Sequence, residues 1–351
     1  MRVLIATDAW HPQVNGVVNT YERMREEAPK LGVELDFLTH EGFPTVPLPS
    51  YPEIRLALVW LRDVAARIEA VKPDHLHIAT EGTIGLAMRA WCRKVGRPFT
   101  TSYHTRFPDY LSARFPVPRS YGYGLQRWFH NGGIGMMVAS TSLAGELEDQ
   151  GFRHIMPWTR GVDTALFHPR PVRDFGPRPV LLYVGRVAVE KNVEAFLAAP
   201  LEGRKVVVGG GPQFEELKAR YPQAHFTGPL VGEPLGRAYA SADVFVFPSR
   251  TDTFGNVIIE AMASGLPVAA YPVTGPRDLV APGTGVLSED LAEAAMAALD
   301  LGPDAPIRHA AGFTWQAATR MFRDNIEAAR RATLVRAGGT AAKSNMIGMS
   351  P

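Results

Sequence analysis

Cysteine is all but absent: Cys92 is the single one in 351 residues. One thiol rules out an internal disulfide framework and a cysteine-based zinc cluster, and it suits a reducing cytosol. Long apolar runs are missing as well. No uninterrupted apolar stretch approaches the roughly 18 residues of a membrane-spanning helix, so any contact with a bilayer is expected to be peripheral. The N-terminus, Met1-Arg-Val-Leu-Ile-Ala-Thr-Asp8, turns polar too soon for the apolar region of a signal peptide, and a cytoplasmic protein is expected. His, Cys, Asp and Glu show no metal-ligand spacing, and Asp252 is followed by Thr-Phe-Gly; no metal or other cofactor is expected. A glycine fingerprint is missing after the first strand-like run, where Ala6-Thr-Asp-Ala-Trp-His11 stands. That argues against a nicotinamide-dependent oxidoreductase.

What is present is the composition of a soluble folded protein, 46% hydrophobic and 21% charged, which excludes disordered and fibrous classes. A chain of 351 residues is too long for one ordinary core and comfortable for two domains. Strand-like runs at 3–6, 34–38, 75–79, 98–102 and 135–139 alternate with helix-like stretches such as 59–71 and 84–94. This is the rhythm of a parallel, doubly wound sheet. Pro29 kinks or stops the first helix, which follows a polar loop at 8–16. A Pro-rich charged stretch at 168–179 continues neither a central strand nor a helix and reads as an interdomain linker. The rhythm restarts at 180–184, 205–208, 224–227, 244–247 and 268–270. The expected fold class is therefore α/β, with Rossmann-like domains at 1–168 and 169–314. A basic helix at 315–337, expected to cross back to the first domain, and a disordered tail at 338–351 complete the chain.

The segment richest in chemistry is Phe247-Pro-Ser-Arg-Thr-Asp-Thr-Phe-Gly-Asn-Val-Ile-Ile-Glu260. A strand ends, a short loop carries Asp252, and a helix starts at Gly255. Free N–H groups and the positive dipole end at that helix start suit a diphosphate, and the flanking acids suit sugar hydroxyls. The same spacing also describes a capping Asp252 and an exposed Glu260. Arg186 and Lys191 follow the first strand of the second half, on the side where open α/β sheets bind ligands. They can neutralise pyrophosphate, or pair with Glu190 or Glu194 on the surface. Gly209-Gly-Gly211-Pro follows the next strand and lets backbone pass close to a ligand.

Residues 84–131 hold eight Arg and Lys against the single acid Asp109, a local charge of about +7. Interleaved among them are Trp91, Phe99, Tyr103, Phe107, Tyr110, Phe115, Tyr121, Tyr123, Trp128 and Phe129. Such a mixture suits an anionic membrane surface, with Trp128 and Phe129 inserting at the headgroup level. Core aromatics with a solvated arginine face would produce the same composition.

Taken together, these segments resemble the retaining GT-B glycosyltransferases of the large fourth sequence family over nearly the whole chain. The resemblance is carried by Pro12-Gln-Val-Asn-Gly-Val17, Tyr103-His-Thr-Arg-Phe107, Arg160-Gly-Val-Asp163, Gly185-Arg186 and Glu190-Lys-Asn192. Tyr239-Ala-Ser-Ala-Asp-Val-Phe-Val-Phe-Pro-Ser249, Thr253-Phe-Gly-Asn256 and Glu260-Ala-Met-Ala-Ser-Gly265 complete it. It implies two Rossmann-like domains facing a crevice, with Arg186 and Lys191 on the diphosphate and Glu260 on the ribose. It further implies Asp252 and the Phe254, Gly255 and Asn256 backbone on the donor sugar, Gly16 closing over the phosphates, and His104 beside the transferred sugar. Gly185 and Gly211 belong to the implied nucleotide-binding loops. Two positions depart from the family: Asp252 stands where Glu is usual, and Asn15-Gly16 where many relatives have paired glycines. The Thr251-Asp-Thr-Phe-Gly-Asn256 wording resembles the branch that makes mannosyl-lipids and sulfoquinovosyl- or glucosyl-diacylglycerol. That implies a UDP-hexose or GDP-mannose donor, a lipid acceptor and attachment to the inner face of the cell membrane.

Other readings share parts of this pattern. A nucleotide-sugar epimerase would use the same crevice without an acceptor, and a related transferase would use a soluble or polysaccharide acceptor. A sugar-binding receptor would normally be exported. Nucleic-acid binding lacks an accompanying motif.

Overall fold

The computed structural model describes residues 1–13, 15–48, 51–106, 108 and 118–347, and no side chains of 48, 51–54 and 335–347. Val14, Phe107, Asp109, Tyr110, Arg114, Phe115 and the end of the tail, 348–351, lie outside the described residues. In the first half, β1 (Arg2–Ala6), β2 (Glu34–Leu38), β5 (His75–Ile78), β6 (Thr100–Tyr103), β7 (Gly135–Val138) and β8 (Ile155–Pro157) form one parallel sheet. Its order is β2-β1-β5-β6-β7-β8. The second half repeats the design with β9 (Val180–Val184), β10 (Arg204–Val208), β11 (His225–Gly228), β12 (Val244–Phe247), β13 (Val268–Ala270) and β14 (Gly285–Leu287). Its order is β11-β10-β9-β12-β13-β14.

Both sheets are covered on two faces, which is why strands such as β9 and β12 read as continuous apolar runs. Alternation still sorts the residues. Val180, Leu182 and Val184 enter one core with Val206, Phe245 and Phe247, while Leu181 and Tyr183 enter the other with Val207, Val244 and Val246. Strand β5 does the same with polar residues: Leu76 and Ile78 face one core, and His75 and His77 turn to a buried polar ladder on Thr100 and Ser102. These two histidines are satisfied core residues.

Three features exceed the sequence reading. A hairpin joins β3 (Thr45–Leu48) to β4 (Tyr51–Ala57), hidden because both strands carry a proline. The edge strands β8 and β14 have three residues each, too short for periodicity to register. The last helix runs Trp315–Ile347, past the tail boundary expected at 338, although Gly338-Gly339 disfavours helix by about 1 kcal/mol per glycine. Its Phe322 and Ile326 pack into the first lobe's core with Val3, Ile5, Tyr21 and Trp158.

Candidate active site

In each sheet the strand order reverses once, between β1 and β5 and between β9 and β12. Ligand sites in open parallel sheets lie outside the carboxyl ends at such points. The two sets of loops meet. Thr253 Oγ1 donates to the His104 carbonyl at 2.8 Å, and Asp278 Oδ1 accepts from Ser142 N at 2.9 Å. A Cβ added to Gly16 would lie 3.4 Å from Asn256 Nδ2, so the starts of two helices, Gly16–Glu27 and Asn256–Ala263, face each other across the crevice. Both starts carry positive dipole, but they differ in capping: Asn15 Oδ1 accepts from Val17 N and Val18 N at the first, whereas the Asn256–Ala263 start has no side-chain cap.

The Asn256–Ala263 helix starts sharply because Gly255 takes φ +96°, a conformation without cost for glycine alone. The loop before it is stitched to the β9 loop: Thr251 Oγ1 donates to the Glu190 carbonyl at 3.2 Å and Asn192 Nδ2 to the Pro248 carbonyl at 3.2 Å. Lys191 Nζ is thereby brought onto Asp252 Oδ1. Asp252 Oδ2 is buried with no hydrogen-bond partner among the described residues. Arg186 sits in the same loop, its carbonyl taking the Tyr183 hydroxyl at 2.7 Å.

Gly185 and Gly211 serve packing as well. A Cβ on Gly211 would come within 2.5 Å of the Val187 carbonyl and one on Gly185 within 2.8 Å of the Tyr183 hydroxyl, so the two loops nest backbone to backbone. Phe254 is buried in the second core, which leaves its backbone rather than its ring for a ligand. Glu260 is half-buried and accepts from the Tyr239 hydroxyl at 2.9 Å; burial pushes its carboxyl up to about 7 against that bond.

His104 is the first lobe's contribution, at the end of β6. Its ring packs edge-on against Tyr21 and Trp158. Nε2 lies 3.4 Å from the Tyr21 hydroxyl and Nδ1 3.3 Å from Arg160 Nη2. Burial, then the Arg160 charge and then His77 and His130 hold its pKa well below the usual range. The eleven residues singled out in the sequence stand in the loops and helix starts that follow β1, β6, β9, β10 and β12. Tyr21, Arg160, Tyr183, Tyr239 and Thr253 hold them in place. Arg160, Tyr239 and Thr253 stand in segments that carry the resemblance, but the sequence assigned no role to any of the five, because each acts through a partner more than twenty positions away or through a backbone carbonyl. Among the described residues, no three His, Cys, Asp or Glu side chains converge on one point.

Two family descriptions match the chain, Glycosyltransferase Family 4 over residues 14–166 and Glycosyl transferases group 1 over residues 178–302. The GDP-mannose-dependent alpha-mannosyltransferase of Mycobacterium tuberculosis is 33% identical over 316 residues, 82% of this chain and 83% of that protein. The chain belongs to glycosyltransferase family 4. The glycosyltransferase is also 30% identical to sulfoquinovosyl transferase SQD2 of Arabidopsis thaliana, over 76% of its own length and 58% of that protein's. Alpha-monoglucosyldiacylglycerol synthase of Streptococcus pneumoniae is 26% identical, over 77% and 71%. These relatives match the glycolipid branch that residues 251–256 resemble. Among solved structures, sucrose-phosphate synthase from Thermosynechococcus elongatus has a TM-score of 0.75 at 19% identity, covering 94% of this chain and 99% of that one. The glycosyltransferase shares that GT-B fold.

The basic-aromatic segment divides in the structure. On the helix Arg119–His130, Tyr121, Leu125 and Trp128 are 73%, 60% and 53% exposed, while Phe129 is 2% exposed and packs in the first lobe's core. The expected insertion of Phe129 is therefore corrected: helical spacing turns 121, 125 and 128 outward and 129 inward. Arg89 is internal too, bonded to the Trp128 and Phe129 carbonyls and stacked 3.6 Å over the Trp128 ring. Arg106 pairs with Glu146 at 2.7 Å. Arg93, Lys94, Arg119 and Arg127 remain exposed. No helix among the described residues is long and apolar enough to cross a membrane.

Proposed function

We propose that the glycosyltransferase moves a hexose, with retention at the anomeric carbon, from UDP-hexose or GDP-mannose to a hydroxyl of a membrane lipid such as diacylglycerol or a glycolipid. The observation that carries this reading is the meeting of Lys191, Asp252 and the Asn256–Ala263 helix start with His104 and Gly16 across one crevice. In this reading Arg186, Lys191 and the helix start take the diphosphate, Glu260 the ribose, and Asp252 Oδ2 a hydroxyl of the sugar. Charge grows on the β-phosphate as the glycosidic bond breaks, and fixed donors are worth most there. The acceptor hydroxyl attacks from the leaving-group face and gives its proton to a departing phosphate oxygen. No protein nucleophile and no metal is required.

The lipid acceptor is favoured by relatives named for mannosyl, sulfoquinovosyl and glucosyldiacylglycerol transfer and by the outward face of Tyr121, Leu125 and Trp128. Leu86 adds a 42% exposed side chain on the neighbouring helix, Thr83–Val95, to which Arg89 couples Trp128. With Arg93, Lys94, Arg119 and Arg127 around them, these residues suit the anionic inner face of the cell membrane, where each basic residue contributes about 1 kcal/mol. The deciding experiment incubates purified protein with UDP-glucose, UDP-galactose or GDP-mannose and mixed membrane lipids, and reads products by mass spectrometry. Transfer to soluble sugars alone, or donor isomerisation without transfer, would replace the lipid assignment with the soluble-acceptor or epimerase reading.

A further inference from the structure

We propose that Arg160 is a positioning residue that locks His104 as the neutral tautomer carrying its proton on Nε2. The ring then meets the transferred sugar as a fixed hydrogen-bond donor and never as a base. The inference rests on the reading above that places His104 beside the sugar.

The proton assignment follows from what each group is able to do. A guanidinium has five N–H donors and no acceptor. Arg160 Nη2 lies 3.3 Å from His104 Nδ1, so Nδ1 must present its lone pair, and the single proton of a neutral imidazole resides on Nε2. Arg160 is 4% exposed, and its Nη1 donates to the Trp158 and Thr159 carbonyls at 3.0 Å each. Its guanidinium carbon sits 4.0 Å over the Trp158 ring. Among the described residues no carboxylate pairs with it, so its remaining N–H groups turn to the imidazole lone pair. Burial lowers the guanidinium to about 10, which leaves it charged at working pH.

The groups that face the ring all agree with this state. Tyr21, from the helix Gly16–Glu27, places its hydroxyl 3.4 Å from Nε2, where His77 Nε2 at 3.1 Å and Ser102 Oγ at 3.3 Å compete for it. The Nε2 proton is therefore only weakly used within the protein. His77, on β5, is occupied by Thr100 Oγ1 and Ser102 Oγ at 2.8 Å each. His130 is occupied by Thr101 Oγ1 at 2.9 Å and Glu81 Oε1 at 3.0 Å. Among the described residues no partner supplies a negative charge to His104, whereas Arg160 supplies a positive one. From the second lobe, Thr253 fixes the His104 carbonyl, so ring and backbone are held from opposite sides. A neutral donor of fixed direction offers the sugar a hydrogen bond without competing for the acceptor's proton, which the departing phosphate takes.

The test is side-chain nitrogen–proton correlation NMR on the full chain with labelled histidine, His104 being assigned by the loss of its signals in His104→Gln. The expected result is an unprotonated Nδ1, a protonated Nε2 and no titration between about pH 5 and 8. A protonated Nδ1, or a His104 midpoint inside that window, overturns the proposal. The Arg160→Met variant should free the ring, move the acid limb of the pH–kcat profile upward while burial keeps it below the ordinary histidine value of about 6.5, and lower kcat by about 10²-fold. Donor KM should change little. Wild-type kcat with an unchanged pH profile in Arg160→Met overturns the positioning role, and if that variant does not fold, the wild-type NMR result decides. A locked His104 in a chain that transfers no sugar would sink the functional reading and leave this assignment standing. An active chain whose His104 titrates would do the reverse.

Discussion

Replacing Glu260 by Gln should make the ligand-free protein more stable at neutral and alkaline pH while weakening its hold on nucleotide. The half-buried carboxyl, pushed from 4.5 to about 7 mainly by burial, is favoured in its neutral form by the fold. Its contribution is fully present below the unfolded value and is lost as pH rises through about 7. By linkage, the ionised carboxylate destabilises the folded state relative to a neutral isostere by about 1 kcal/mol at about pH 5 and about 3 kcal/mol at about pH 8. Part of the side chain meets water, so screening lowers the upper figure to roughly 1.5–3 kcal/mol. With roughly 2–4 °C per kcal/mol for a domain of this size, Glu260→Gln should raise Tm by about 3–12 °C near pH 8 and by much less near pH 5. If Glu260 holds the ribose, the amide offers one acceptor oxygen in place of a carboxylate, and nucleotide Kd should rise by about 10–100-fold near pH 8. Scanning calorimetry at the two pH values and nucleotide titration by isothermal calorimetry provide the readings. A Tm gain of equal size at both pH values would refute the buried-carboxylate account, and an unchanged Kd would refute the ribose role.

Arg186→Ala and Lys191→Ala should each lower kcat by about 10²–10³-fold without unfolding the protein, and near-wild-type rates in both would remove the diphosphate assignment. The fresh product of an α-linked donor should be the α-anomer by proton NMR, and EDTA should leave the rate largely intact because Arg186, Lys191 and the helix start supply the positive charge. Replacing Tyr121, Leu125 and Trp128 together by serine should reduce sedimentation with anionic liposomes by roughly tenfold or more, with a stability loss of only about 0.5–2 kcal/mol from the Arg89–Trp128 stack. Phe129→Ala should instead cost about 3–5 kcal/mol of stability through a core cavity; normal Tm with lost liposome binding would reverse the two roles.

Read from sequence alone, the doubly wound rhythm and the loop segments at the strand ends were legible because each is written over neighbouring positions. Runs such as 180–184 and 244–247 reappear unchanged as β9 and β12. Gly255 before Asn256 marks a helix start by local conformational cost, and Asp252 and Glu260 follow from that start by spacing. Composition could not separate the two faces of residues 119–130, since Trp128 and Phe129 are chemically alike and only the packed core distinguishes them.

Sequence by itself determined the doubly wound rhythm, the family and the places of the candidate site residues at strand ends and helix starts, because backbone geometry and periodicity are short-range properties. Tertiary structure alone decided the protonation and pairing of those residues. Lys191 pairs with Asp252, sixty-one positions away, Tyr239 raises its hydroxyl to Glu260 across twenty-one, and Arg160 reaches His104 across fifty-six. A charge state depends on burial and on the nearest opposite lone pair or proton, and both exist only once distant segments have been brought together.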